Sequence, residues 1–232
     1  MEYDLISIGA HPDDVEVGTG GVLIGLNKIG YRTGIVYLTA GEMATGGTPD
    51  IRAEESLAAA KVIGSDLIKT YNWGDCQLFD TYERRLELAA LIRQYRPKII
   101  LAPDPHIGHG RRQSHPDHVA AGQIALNAAN YATLKKLPIR GEPHRVEKVF
   151  HYFLPPGKVP DFVVDITDSF EQWIEALKCH KSQFLNPEKS RNYLWSLESM
   201  ARSFGIQAGC KYGQGFYNAE PVKIIDIFDL VK

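Results

Sequence analysis

Short apolar runs alternate with segments of helical period along most of the chain. Residues 5–9 form a continuous run that reads as a buried strand. Residues 18–29 have helical spacing, with Gly18, Gly20 and Gly21 at the start and Gly30 just past the end. A second strand is predicted over 33–38, followed by a Gly- and Thr-rich loop over 39–49. Pro49 and Asp50 open the next helix, which runs to residue 62 and stops at Gly64. Residues 67–71 read as a strand, 81–96 as a helix halted by Pro97, and 98–102 as a strand. This β-α-β-α order predicts an α/β chain with a mostly parallel sheet covered by helices on both faces.

The second half is less regular. Residues 146–154 and 161–166 read as strands, 167–179 and 191–204 as helices, and 223–228 as a final strand. A mixed C-terminal edge to the sheet is expected. Residues 104–113 form a long loop with His106, His109, Arg111 and Arg112, and a loop of that length usually carries function. No linker or low-complexity tract divides the chain, so one domain over 1–232 is expected.

One internal echo stands out against this pattern. Ala10-His11-Pro12-Asp13-Asp14 follows the first strand, and Ser114-His115-Pro116-Asp117-His118 opens a helical run over 119–132. Either segment alone could be a helix start, with proline fixing φ and aspartate capping. Both lie beyond predicted strand ends, where parallel sheets bind ligands. His11 and Asp14 are spaced i, i+3, as are His115 and His118, so each pair can face one point. A catalytic Zn²⁺ takes three His or carboxylate ligands and leaves one position for water. The two segments offer more groups than that, and spacing does not say which would bind. The surplus could transfer protons, steady an oxyanion or orient a ligand.

The bulk numbers narrow the alternatives. The chain has 232 residues, is 44% hydrophobic and carries a formal net charge of −2, so nothing in its charge favours nucleic acid or an anionic membrane. No signal peptide or spanning segment is expected. Cys76, Cys179 and Cys210 are scattered and form no CxxC, which argues a reducing, cytoplasmic setting, with Cys76 expected as a plain buried thiol. The glycines after Asp14 read G-x-G-G rather than G-x-G-x-x-G, and two aspartates in that turn would repel a pyrophosphate, so helix packing is their expected use. There is no G-x-S-x-G elbow.

The motifs resemble the LmbE-like or PIG-L-like family of zinc-dependent N-acetylglucosamine deacetylases. The resemblance covers Ala10 to Asp14, Thr39-Ala40-Gly41-Glu42-Met43 with Gly46, Thr48 and Pro49, Arg52-Ala53-Glu54-Glu55, His115 to His118, Pro143-His144-Arg145-Val146-Glu147, and Ser182-Gln183-Phe184. It implies a Rossmann-like α/β domain. It implies His11, Asp14 and His118 as ligands of one Zn²⁺, with Fe²⁺ or Co²⁺ also compatible with a His₂-Asp site. Asp13 would be the general base, and His115, oriented by Asp117, would hold the oxyanion or act as acid. Arg52, Arg145 and Tyr193 would bind substrate. The branch it is most similar to acts on N-acetylglucosaminyl-malate in bacillithiol biosynthesis. Members are commonly homo-oligomers, and Trp173, Trp195, Phe216 and Tyr217 could serve either an interface or a core.

The chain departs from that branch at Ser114, where many members have arginine. Arg111 and Arg112 could meet a carboxylate-bearing aglycone instead. Within the family, thiol S-conjugates and diacetylchitobiose are alternative amide substrates. Outside it, a silent metal- or nucleotide-binding module would show no hydrolysis. A two-metal phosphoesterase would need more bridging carboxylates than Glu16 and Glu42 can add.

Overall fold

The computed structural model describes residues 2–106, 115–154, 158–185, 193–226 and 228. Strand β1 (Leu5–Gly9) leads into α1 (Asp14–Lys28), β2 (Thr33–Tyr37), α2 (Pro49–Ile63), β3 (Asp66–Thr70), α3 (Tyr82–Tyr95) and β4 (Ile99–Pro103). Helix α4 (Pro116–Tyr131) precedes β5 (Lys148–Tyr152) and β6 (Phe162–Asp165). After a 3₁₀ turn (Thr167–Ser169) come α5 (Phe170–Cys179), α6 (Lys181–Phe184), α7 (Tyr193–Ala208) and β7 (Gly213–Phe216).

The five strands β1 to β5 pair in parallel in the order β3-β2-β1-β4-β5. Strands β1 and β2 are buried along their whole length, which is why they read as unbroken apolar runs rather than alternating ones. Helices α1, α2 and α5 pack together, with Leu23, Ile35, Ile63 and Trp173 in their core. Helices α3 and α4 pack together with Ile8, Val36, Leu88, Ile100 and Ile124 in a second core. The expected mixed edge takes a specific form: β6 and β7 make a separate antiparallel ribbon, joined to β5 by an antiparallel bridge between His151 and Tyr217.

Local chemistry explains the boundaries. Helices α2 and α3 begin at Thr48 and Thr81, whose side chains accept from the N–H groups of Ile51 and Arg84. Helix α1 starts at Asp14, four residues before the position its apolar period suggests. Asp14 and Glu16 occupy its first turn, where the helix dipole favours acids. The glycines that follow let other elements approach. A Cβ on Gly18 would lie 2.1 Å from the Tyr152 ring, and one on Gly20 would lie 2.9 Å from Trp173.

One expectation fails at the C-terminal end. Residues 223–226 and 228 form no strand, although their sequence alternates; the last strand is β7. A strand needs a neighbour for its backbone groups, and among the described residues this segment has none. The aromatics left open between an interface and a core divide. Trp173 and Phe216 are core residues, while Trp195 on α7 is 66% exposed.

Candidate metal centre and active site

Strands β1 and β4 are neighbours whose chains continue toward opposite edges of the sheet, so a crevice opens beyond their carboxyl ends. The first histidine segment lies in the turn after β1. Asp13 caps α1 with φ 112, a left-handed conformation rarely taken by a non-glycine residue. The turn closes on itself: His11 N–H donates to Asp14 Oδ2 at 2.8 Å, and Asp14 N–H donates to His11 O at 3.2 Å. The second segment is the start of α4. His115 is its N-cap and accepts through Nδ1 from the Asp117 N–H at 3.4 Å, leaving Asp117 and His118 in the first turn.

The segments meet. His11 Nδ1 lies 3.4 Å from Asp14 Oδ2, and His118 Nε2 lies 3.1 Å from Asp14 Oδ1. Nitrogen and oxygen ligands held about 2.0–2.1 Å from a tetrahedral Zn²⁺ are roughly 3.3 Å apart. The three buried side chains each bring a ligand atom within 4.8 Å of the others, close enough together to hold one divalent ion. His11 turns its other nitrogen away from that point. Nε2 lies 3.2 Å from Asp75 Oδ1 and 3.3 Å from Asp117 Oδ2, the carboxylate support that fixes a ligating histidine's tautomer.

The electrostatics point the same way. Burial opposes a charge on His11, yet Asp117, Asp14 and Asp75 push its pKa up to about 12. Burial also raises Asp14, but His118 and His11 outweigh it and hold the carboxyl well below the usual range. A pocket this rich in carboxylates calls for positive charge at its centre. Asp13 behaves differently: burial pushes it up to about 6, against the pull of Arg52 and with the charge of Asp14 adding to the rise. Such a carboxyl suits proton exchange near neutral pH.

Arg52 is buried rather than a solvated helix charge. It donates to the carbonyls of Gly41 and Pro12 and lies 3.4 Å from Asp13 Oδ2. It thus braces the strained turn that carries Asp13. Asp117 meets His115 through its backbone N–H, while its carboxylate sits nearer to His11. The Asp117 carboxylate is 3.9 Å from His115 Nδ1, a nitrogen already engaged as an acceptor by the helix N–H. Asp117 Oδ2 instead takes the Cys76 N–H at 2.7 Å and faces His11. With Nδ1 accepting, neutral His115 carries its proton on Nε2. Burial, followed by the nearby His11 charge, lowers its pKa.

A cavity of about 560 Å³ opens over these groups. Tyr193 lines it, together with Trp173, Phe184, Leu197 and Phe204, so its walls away from the metal centre are largely apolar. Arg145 is elsewhere. It borders a hollow with Glu147, Lys148 and Asn218 just before β5, hence at the amino end of the sheet and opposite the site. Arg111, Arg112 and His109 lie outside the described residues. Asp75 is a site residue that sequence reasoning missed; its only signal is its place in the loop beyond the carboxyl end of β3. Cys76 is corrected too, being exposed and lining the cavity rather than buried.

Known proteins share the sequence and fold that carry this site. Residues 6–129 match the family described as PIG-L, GlcNAc-PI de-N-acetylase. The diacetylchitobiose deacetylase of Thermococcus kodakarensis is 33% identical over 228 residues, covering 91% of this chain and 81% of its own. The chain belongs to the PIG-L de-N-acetylase family. Among solved structures, the conserved protein TT1542 from Thermus thermophilus superposes with a TM-score of 0.85 at 36% identity, covering 96% of this chain and 97% of that one. The diacetylchitobiose deacetylase of Pyrococcus horikoshii gives 0.82 at 29% identity, covering 91% and 82%. This PIG-L chain is therefore a hydrolase that cleaves an amide C–N bond, of the N-acetylglucosamine deacetylase type.

The other PIG-L motifs act as supports. Glu42 accepts the Asp75 N–H at 2.7 Å, and Asp75 Oδ2 accepts the Met43 N–H at 3.0 Å. Glu55 accepts both the N–H and the hydroxyl of Ser182 at 2.7 Å, and Gln183 donates to Gly46 O at 2.7 Å. The loop after β2, helix α2 and the short α6 are thereby locked together beside the cavity.

Proposed function

We propose that this protein removes the acetyl group from an uncharged N-acetylglucosamine derivative of the diacetylchitobiose kind, with one Zn²⁺ held by His11, Asp14 and His118. The observation that carries the reading is the convergence of those three donors beside Asp13 and His115 in one cavity. When bound, the ion would polarise the acetyl carbonyl and make water acidic enough to be a nucleophile near neutral pH. Asp13 takes the proton of the attacking water, with Arg52 and the turn holding its carboxylate in place. His115 Nε2–H donates to the oxyanion of the tetrahedral intermediate. Asp117 and Asp75 hold His11 in the tautomer that directs Nδ1 toward the ion. The amine leaves with the proton returned by Asp13 or His115, giving acetate and a free amino sugar.

The choice of an uncharged partner rests on the cavity wall. Among the described residues lining it, Arg52 is the only arginine or lysine, and its guanidinium is committed to Pro12, Gly41 and Asp13. A malate aglycone would bring two carboxylates with no described cation to meet them. The aromatic side chains of Phe184 and Tyr193 suit the apolar face of a sugar instead.

The test is acetate release from diacetylchitobiose, N-acetylglucosaminyl-malate, N-acetylglucosamine and a cysteine S-conjugate, with chelated and zinc-restored protein. Zinc-dependent turnover with diacetylchitobiose first in kcat/KM is expected. Preference for the malate conjugate would reassign the substrate and give Arg111 and Arg112 a role. No zinc-dependent release from any of the four would overturn the reading. A single domain over 1–232, a cytoplasmic setting and a homo-oligomer belong to the same proposal. Light scattering on the purified protein tests the last of these. Among the described residues no helix is long and apolar enough to cross a membrane.

A further inference from the structure

We infer that Asp75, Cys76 and His115 form a second divalent-cation site beside the first, and that filling it inhibits the enzyme. Asp75 and His115 each offer a ligand atom within 4.8 Å of the other and of His11. Cys76 completes the set. Its Sγ lies 3.5 Å from Asp75 Oδ1 and 3.7 Å from His115 Nε2. A tetrahedral Zn²⁺ with its sulfur ligand at about 2.3 Å and nitrogen or oxygen ligands at about 2.0–2.1 Å sets those edges at roughly 3.5 Å. The observed separations are within a few tenths of that value.

The thiol is held where it is. Cys76 has φ 62, left-handed for a non-glycine residue, and its N–H is fixed by Asp117 Oδ2 at 2.7 Å. Asp75 is fixed through its own N–H by Glu42 and through Oδ2 by Met43, which leaves Oδ1 toward the thiol. His11 is not the third ligand. Its Nδ1 faces Asp14, and using Nε2 as well would require the ring to lose both protons. Asp117 Oδ2 keeps a partner for that Nε2–H when Asp75 Oδ1 is taken.

Binding breaks the Cys76 S–H and His115 Nε2–H bonds, forms a sulfur–metal and a nitrogen–metal bond, moves the imidazole proton to Nδ1 in place of the contact from the Asp117 N–H, and passes the thiol proton to the buffer, with no change in oxidation state. The second ion occupies His115 Nε2, the nitrogen that faces the oxyanion in the proposed reaction. The inhibitory part of the inference rests on that reading; the binding part does not.

The experiment is a Co²⁺ titration of chelator-stripped protein, followed by absorbance and by acetate release. Two equivalents are expected to bind. The second brings a sulfur-to-cobalt charge-transfer band in the near ultraviolet and a fall in the turnover restored by the first. Cys76→Ser keeps the first equivalent, shows no band and weakens the second by at least about tenfold. His118→Ala loses the first and keeps the band. Binding of one equivalent only, or a second equivalent unaffected by Cys76→Ser, would overturn the inference. A band without acetate release at the first equivalent would uphold the cation site and sink the deacetylation reading instead.

Discussion

At the amino end of the sheet, Arg32 and Tyr3 both donate to Asp66 Oδ2 at 2.8 Å, and Lys98 donates to Asp4 at 3.1 Å. There, too, the buried Arg93 at the end of α3 donates to the carbonyls of Ala132, Leu134, Ile139 and Gly141. At the carboxyl end, Asp13, Asp14, Asp75 and Asp117 crowd around three histidines and one committed arginine, and Asp13 and Cys76 hold left-handed backbone. One end matches its charges with fixed partners. The other keeps an excess of acid that a cation can answer. The same strands support both, so the difference lies in the loops and helix starts, not in the sheet.

That contrast can be broken at either end. The largest effect is expected from His118→Ala. It removes a donor whose nitrogen lies 3.1 Å from Asp14, and elemental analysis of chelator-washed, zinc-restored protein should show the metal lost together with turnover. Asp13→Asn should retain metal yet lose turnover by roughly 10²–10⁴-fold, the usual range for a missing general base. Equal metal content and near-wild-type turnover would remove Asp13 from its proposed role.

At the amino end the readout changes from chemistry to stability. Arg93→Met strips four carbonyls of a charged donor and should cost about 2–3 kcal/mol, a fall in Tm of about 4–10 °C. Turnover per folded molecule should be unaltered. The smallest effect belongs to Arg32→Ala, because the Arg32–Asp66 pair is solvent-exposed and screened. Its sign with pH is fixed. Hydrogen bonds from Arg32 and then Tyr3 hold the Asp66 pKa below its usual value. The stabilisation is therefore present above the unfolded carboxyl pKa of about 3.9 and is lost as pH falls through the folded value. The Tm gap between the two proteins should close on acidification from pH 6 to pH 3; a gap that widened would contradict the pairing.

Much of this architecture is legible in the residues. Buried parallel strands must be apolar on both faces, so β1, β2 and β4 stand out, and Thr48, Thr81 and Pro97 punctuate the helices between them. The ribbon is not legible. Strand β7 is Gly-Gln-Gly-Phe, with no apolar period to read. A Cβ on Gly213 would lie 2.4 Å from Val163, and one on Gly215 would lie 3.0 Å from Phe204. Crowding by β6 and α7 removed the side chains that would have announced the strand. Residues 223–226 and 228 show the converse, a strand-like alternation with no partner among the described residues.

The candidate site divides the same way. Sequence by itself determined the two histidine segments, their strand-end positions and the donor types, because local spacing and turn chemistry are written in consecutive residues. Only the tertiary structure decided that Asp75 and Cys76 join them, that the Asp117 carboxylate sits nearer to His11 than to His115, and that Arg145 lies at the far end. Those outcomes depend on which strand is neighbour to which, and on which end of a strand a loop leaves, and no local pattern encodes either.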